Sequence, residues 1–298
     1  MYGYTGKIAR VDLSSGHVTY EKLDENIARQ FIGGTGLGVK YLYDEVPVGT
    51  EWSDAENRYM ISGGPLSGTQ ISGSGTVSIV TKGPMTNGAA TTQANGYFGA
   101  YLKIAGFDSI IIQGKSDKWV YLHIHDDVVE IRDADHLVGK NTWETADMIK
   151  EAHGKKARQM SVACIGPAGE NLVKFACTVV DGDHVASKNG NGAVLGSKLV
   201  KAMAVERGSR RPDLFDKEAL NGIAKEIHDD IEFAQFGYGT ATVFDGGTLA
   251  QGGNCIMYNY SKMYDPNPDL VEKINKFGST YMREAHDGKR DPCWACNA

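Results

Sequence analysis

Short runs of apolar and β-branched positions, set among polar ones over Lys7–Asp12 and His17–Lys22, flank the turn Leu13-Ser14-Ser15-Gly16. That pattern predicts a β-hairpin with glycine at the turn. Helical spacing follows at Glu25–Ile32 and again at Gly38–Tyr43. Tyr59–Ser62, Thr76–Thr81, Ser109–Gln113, Val120–His125 and Val128–Asp133 are rich in β-branched and aromatic side chains and read as strands. Thr142–Ala152 returns to helical spacing, and Ser161–Ile165 and Val173–Val179 to strand. Beyond Pro212 the texture changes. Leu214–Phe233 has helical periodicity, followed by Gly-rich Phe236–Gly253 and Asn/Pro-rich Asn259–Pro268. Gly208, Ser209 and Pro212 place a boundary near Arg207–Asp213. The predicted class is α+β: a β-rich domain over residues 1–208, then the beginning of a helical domain over residues 213–298.

A faint duplication runs through the β-rich part. Gly99-Ala100-Tyr101-Leu102 precedes the strand Ser109–Gln113 as Gly192-Ala193-Val194-Leu195 precedes Ala202–Glu206. In each copy a Gly-rich loop opens a helix that leads into a strand, so two helix starts could face anionic groups. The same order of loop, helix and strand also occurs as common supersecondary grammar.

Composition narrows the classes. With 31 basic and 37 acidic residues the formal charge is −6, which offers no electrostatic footprint for nucleic acid or an anionic membrane surface. No apolar run approaches the ~20 residues of a membrane span, and Met1–Lys7 has no apolar signal core, so a cytoplasmic setting is expected. Five cysteines among 298 residues form no disulfide framework. Glycine is abundant, 37 residues clustered mainly in loops of the first two thirds.

Four constellations could carry chemistry. Gly63-Gly64-Pro65-Leu66-Ser67-Gly68-Thr69 with Ser72-Gly73-Ser74-Gly75 lets backbone N–H groups approach a ligand, or is a surface loop between strands. It matches neither a P-loop nor a dinucleotide fingerprint. Gln93-Ala94-Asn95-Gly96-Tyr97-Phe98-Gly99 and Asp181–Gly192 combine small residues, amides and a helix start, with Lys188 added in the second. Amide side chains offer the paired donors and acceptors that a pterin edge requires, although a capped helix entry has the same look. Cys293-Trp294-Ala295-Cys296 can ligate an iron–sulfur cluster or zinc, or act as a redox dithiol. Cys164, Cys177 and Cys255 read as structural thiols, and His123 and His125, on one strand face, as surface or satisfied residues.

In this order the pieces resemble the aldehyde:ferredoxin oxidoreductase family from Tyr2 to Cys296. The most specific stretches are Gly64–Thr69, Gly96–Ala100 with Ala105-Gly106-Phe107-Asp108, Ile165–Asn171, and Gly192–Lys198. The resemblance implies a duplicated, β-rich N-terminal domain forming the base for a tungsten bis-pterin cofactor, with molybdenum as a possible replacement, closed over by helical domains. It places pterin contacts at Thr76, at Gln93, Ala94, Asn95 and Gly96, and at His184, Val185, Ala186, Lys188, Asn189, Gly190 and Gly192. Backbone carbonyls of Gln93 and Val185 fall where the family holds Mg2+ between the pterin phosphates. Cys293 and Cys296 would be two of four ligands to a [4Fe-4S] cluster; the family's other cysteines fall beyond Ala298.

Three functions follow as expectations. The first is interconversion of an aldehyde and a carboxylic acid, with electrons passed to ferredoxin or an iron–sulfur subunit. The second is reduction of an aromatic acyl-CoA of the benzoyl-CoA type with the same cofactor. The third is a non-catalytic cofactor-binding or scaffold subunit, with a second chain carrying the missing cysteines. Thr76 stands where the aldehyde oxidoreductases carry an arginine, which removes a fixed charge between pterin and cluster. No catalytic acid or base is assigned.

Overall fold

The computed structural model describes residues 1–233, 256–257, 262–263, 285–286 and 292–295. Its first compact unit takes in Met1–Lys217 together with Cys293–Ala295. Strands β1 (Lys7–Asp12) and β2 (His17–Lys22) form the predicted hairpin. Helices α1 (Glu25–Phe31) and α2 (Gly34–Glu45) follow, the first capped by Asp24, whose side chain accepts from the Asn26 and Ile27 N–H groups. Next come β3 (Tyr59–Ser62), β4 (Val77–Lys82), β5 (Ala89–Ala94), α3 (Phe98–Ile104) and β6 (Ser109–Gln113). The strands assemble in the order β2-β1-β6-β3-β4-β5.

The second half repeats the plan. It runs through β7 (Val120–His125), β8 (Val128–Asp133), α4 (Thr142–Ala152), β9 (Met160–Cys164), α5 (Pro167–Glu170), β10 (Thr178–Val180), β11 (His184–Ala186), α6 (Asn191–Ser197) and β12 (Val200–Glu206). The sheet order β11-β10-β9-β12-β7-β8, read backwards, is the order of the first sheet with each strand replaced by its counterpart. Senses match too: β1 is parallel to β6 and β7 to β12, and every other neighbouring pair in both sheets is antiparallel. Helix α3 feeds β6 as α6 feeds β12. The duplication expected from the Gly-Ala-x-Leu spacing is therefore a property of the fold.

Strand periodicity explains the layers. On β6, Ile110 and Ile112 join Leu122, Ile124, Met203 and Val205 of the other sheet, with Phe98 and Leu102 of α3 and Val194 and Leu195 of α6. Ile111 points the other way, to Leu37 and Leu42 of α2. Both faces are covered, so the run is apolar throughout, and each such side chain contributes about 1.5–3 kcal/mol on burial. Helix α4, opened by a reciprocal Asn141/Glu144 capping box, lays Ala146 and Ile149 on Met160, Val162 and Ala202.

Several elements differ from expectation. The strand expected over Val173–Val179 is confined to β10, because Val173 N–H bonds Ala168 O and Ala176 N–H bonds Val173 O, which turns the chain out of α5. Strands β5 and β11, absent from the sequence reading, form the outer edges of the two sheets. The predicted Gln93–Gly99 helix entry begins instead at Phe98, with Gln93 and Ala94 ending β5.

Among the described residues three lysines are buried, Lys103, Lys198 and Lys201, the last paired with Glu170. Lys103 Nζ pairs with Asp108 and donates to Gly3 O at 2.9 Å. Lys198 Nζ faces the carbonyls of Gly114 (3.0 Å), Ala55 (3.2 Å) and Asp54 (3.4 Å). Burial, reinforced by the Arg58 charge, pushes the Lys198 ammonium down to about 7. An unfolded chain keeps this proton up to its ordinary value of about 10.4. Between the two values the unfolded state binds more protons, so stability rises with pH across that window. The urea midpoint of the wild-type chain should therefore gain on that of Lys198→Met between pH 7 and 9; parallel curves would refute the shift.

The second unit comprises Glu218–Pro292 and Cys296–Ala298. It holds α7 (Lys217–Phe233) from its second residue onward, and an antiparallel pair Ile256–Met257 with Lys262–Met263. Helix α7 begins three residues later than the spacing predicted. Among the described residues no helix is long and apolar enough to cross a membrane.

Candidate functional site

The two edge strands β5 and β11 pack together where the repeats meet. Lys188 N–H, just past β11, donates to Thr92 Oγ1 on β5 at 3.3 Å. Every second residue of an edge strand leaves its backbone N–H and C=O outside the ladder, which gives this seam polar backbone to offer. On the first repeat, Gln93 and Asn95 point outward, while Ala94 and Gly96 are buried. Thr76, directly before β4, is half-buried, its hydroxyl 2.8 Å from Gly73 O and 2.9 Å from the Asn95 side-chain oxygen. This neutral hydroxyl ties the 73–76 turn to the end of β5.

On the second repeat, Val185 and Lys188 are exposed, His184 and Asn189 half-buried, and Ala186, Gly190 and Gly192 buried. Gly190 opens α6 at φ +69°, and a Cβ there would stand 1.8 Å from Lys174 O and 2.6 Å from Pro84 Cγ. Only glycine fits. The neighbouring Asn191 is fully enclosed: its amide donates to Ala186 O at 2.6 Å and its oxygen accepts from Thr178 Oγ1 at 2.6 Å. Thr178 Oγ1 in turn lies 3.0 Å from Tyr59 OH on β3, so a buried polar chain joins the two sheets.

Cys293 and Trp294 enter the same seam from far along the chain. Cys293 Sγ lies 3.5 Å from His184 Nε2, a partner 109 residues away. Burial alone would raise this thiol, but the His184 imidazole and a backbone hydrogen bond from Gly96 outweigh it and hold it below its ordinary value. His184 is raised in return, first by its hydrogen bond with Cys293. Trp294 donates its indole N–H to Thr69 O at 2.8 Å and its backbone N–H to Gly96 O at 3.3 Å. A Cβ on Gly75 would meet Gly96 O at 2.2 Å and Trp294 Cβ at 2.7 Å, so the first glycine-rich stretch is pressed against both. Cys296 and Cys255 lie outside the described residues. Cys164 is buried, its thiol pushed up to about 12 by desolvation, and Cys177 is half-buried; both fit the structural role expected of them.

The expected contacts from Thr76, Gln93–Gly96 and His184–Gly192 are thus gathered on one seam with Cys293. Residues of the same stretches that were not expected as cofactor contacts hold the seam in shape. Asp181 accepts from Tyr97 N–H (2.9 Å), Ser161 Oγ (2.8 Å) and Val162 N–H (3.1 Å). Burial pushes its carboxyl up against the pull of those donors. It closes the start of α3 with a turn belonging to the other repeat. Asn191 holds the start of α6 within its own repeat, through Thr178, Ala186 and Lys188, and Trp294 ties the cysteine segment to Thr69. The signal for Asp181 was its place at the head of the Asp181–Gly192 stretch; nothing local marks its partners.

Residues 8–207 match the model of the family described as aldehyde ferredoxin oxidoreductase, N-terminal domain. The chain is 42% identical over 303 residues to the tungsten-containing aldehyde ferredoxin oxidoreductase of Pyrococcus furiosus, with 99% of the chain and 48% of the relative covered. It is 38% identical to the protein of the same name from Thermococcus kodakarensis, with the same coverage. Among solved structures it superposes on a chain of the active site complex BamBC of benzoyl coenzyme A reductase in complex with 1,5 dienoyl-CoA. The TM-score is 0.85 at 30% identity, over 99% of this chain and 46% of that one. The chain spans about half the length of the relatives it matches.

Proposed function

This chain belongs to the aldehyde ferredoxin oxidoreductase family, and we propose that it forms the cofactor base of a tungsten-pterin oxidoreductase interconverting an aldehyde and a carboxylic acid. The observation that carries this reading is the meeting of both glycine-and-amide loops with Cys293, whose Sγ lies 3.5 Å from His184 Nε2 and whose thiol is held below its ordinary value by His184 and Gly96. The donor set fits the group. Exposed Gln93 and Asn95 offer amide donors and acceptors to pterin edges, and exposed Lys188 offers an ammonium to a pterin phosphate. The buried glycines beneath them leave backbone rather than side chain at the seam. Gln93 and Val185 carbonyls are the hard oxygen donors that Mg2+ takes. Cys293, with Cys296, would supply thiolates to a [4Fe-4S] cluster beside these loops. When bound, the tungsten would supply the two-electron step between aldehyde and acid. The chain's own residues bind and orient, with Thr76 and Asn95 fixing the turn between loop and cysteine. Electrons would leave through the cluster to ferredoxin or an iron–sulfur subunit, and a second chain or longer polypeptide would supply the remaining ligands.

A second reading, reduction of an aromatic acyl-CoA, is supported by the likeness to the benzoyl coenzyme A reductase complex and by a neutral threonine in place of the expected arginine. The first experiment is metal analysis by mass spectrometry of anaerobically purified protein with any co-purifying chain, followed by assays with aldehydes and aromatic acyl-CoA. Tungsten with iron supports the cofactor base, and the assays choose between substrates. Tungsten-free protein from tungsten-replete cells would count against it and favour a scaffold subunit.

A further inference from the structure

A second constellation stands apart from the seam, on the β7–β8 hairpin. His123 and His125 are two apart on β7, and Glu130 on β8 is the register partner of His123. One oxygen, Glu130 Oε2, lies 3.3 Å from both His123 Nδ1 and His125 Nε2. The three ligand atoms fall within 4.8 Å of one another. Charge-assisted hydrogen bonds are shorter, about 2.7–2.9 Å. Ligands about 2.0–2.1 Å from a tetrahedral zinc ion stand roughly 3.3–3.4 Å apart, which is the spacing of Glu130 Oε2 from each imidazole nitrogen.

The surroundings add a second reason. His123 is buried rather than at the surface, and its other nitrogen, Nε2, lies 2.9 Å from Glu206 Oε1 on β12. A proton on Nε2 shared with Glu206 leaves Nδ1 as a lone pair aimed at Glu130, the arrangement by which a carboxylate orients a metal-binding imidazole. Lys155 anchors Glu206 from the far side, at 2.5 Å. The His153 ring, 3.9 Å from that of His123, fixes its plane. His125 and Glu130 are partly open to solvent, so an ion can enter. Arg132, half-exposed, donates to Glu130 Oε2 at 2.7 Å and is the cation an incoming ion must displace.

We propose that His123 Nδ1, His125 Nε2 and Glu130 Oε2 form a binding site for a divalent transition metal of the zinc class, with Glu206 as the residue that orients His123. A water completes the tetrahedron, and the ion pins the β7–β8 hairpin. Imidazole and carboxylate donors suit Zn2+, Ni2+ and Co2+ over Mg2+.

The test is titration of the complete chain with Co2+, read by absorption, and displacement of that Co2+ by Zn2+. One equivalent should show the d–d bands of a nitrogen–oxygen site, distinct from the thiolate charge-transfer band that reports Cys293 and Cys296. His125→Asn should weaken that equivalent at least about tenfold, and Glu206→Gln by about 10–100-fold. Arg132→Ala should tighten it, because the competing cation is gone. The thiolate band should not move in any of the three. His125 lies at the surface end of the cluster, and an unchanged circular dichroism melt separates lost binding from lost folding. Cobalt found only on thiolates, or affinity unchanged in His125→Asn, would overturn the site.

Discussion

Cys293→Ser in the complete enzyme should abolish the visible absorption of its iron–sulfur cluster and leave the first unit folded. The reason is positional. Cys293 sits where a backbone hydrogen bond from Gly96 and the His184 imidazole favour the thiolate, the form that binds iron. Serine keeps the shape of the segment, and Trp294 still bonds Thr69 and Gly96, so packing survives. His184→Gln should act in the same direction more weakly, because it removes an organiser of the thiolate rather than a ligand. Anaerobic absorption spectra with iron analysis decide it. A Cys293→Ser protein with an unchanged spectrum and full iron would remove Cys293 from the ligand set and reopen the zinc and dithiol readings.

Asp108→Ala should destabilise the first unit by about 3–5 kcal/mol, the usual cost of stripping a buried ion of its partner. Lys103, only 2% exposed, would keep Gly3 O alone as acceptor. The loss extends further, since Asp108 also accepts from Thr5 N–H (3.1 Å), Gly6 N–H (2.7 Å) and Thr5 Oγ1 (3.1 Å). These bonds hold the start of the chain to the turn between α3 and β6. Adding Lys103→Met to Asp108→Ala should recover part of the loss, because no unpaired ammonium then remains. Urea unfolding of the two single variants and the double variant measures this directly. A single-variant loss under 1 kcal/mol would mean that the pair is far better hydrated than its burial indicates.

The elements legible in the sequence are those whose side chains are large. Ser109-Ile110-Ile111-Ile112-Gln113 could be little else than a covered strand, and β1, β2, β3, β7, β8 and α4 were predicted to the residue. Strand β5 escaped although Ala90, Thr92 and Ala94 alternate inward with period two. Alanine and threonine are small, and carry little strand signal outside the context of β11 packed beside them. At three residues, β11 is too short for periodicity to register. The site shows the same division. The glycine-and-amide loops and Cys293 were legible because their residue types are unusual. Asp181 and Glu206 were not, since their roles depend on partners 84 and 83 residues away, Tyr97 and His123. The strand face shared by His123 and His125 was read correctly, and of the two alternatives, surface or satisfied, His123 takes the second: it is buried and bonded to Glu130 and Glu206.

The start of α3 is closed by the opposite repeat, Tyr97 by Asp181, and Gly190 at the start of α6 is pressed between Lys174 of its own repeat and Pro84 of the other. The halves of the first unit are therefore interlocked like clasped hands rather than stacked like bricks. The first repeat cannot finish its helix entry until the second has formed the turn at Asp181, so folding of the unit is expected to be all-or-none. A gene fragment ending between β6 and β7 would lack the lid on its own loop. Whatever binds at the seam meets both halves at once, and a change in one loop is felt by the other through the backbone that seals it.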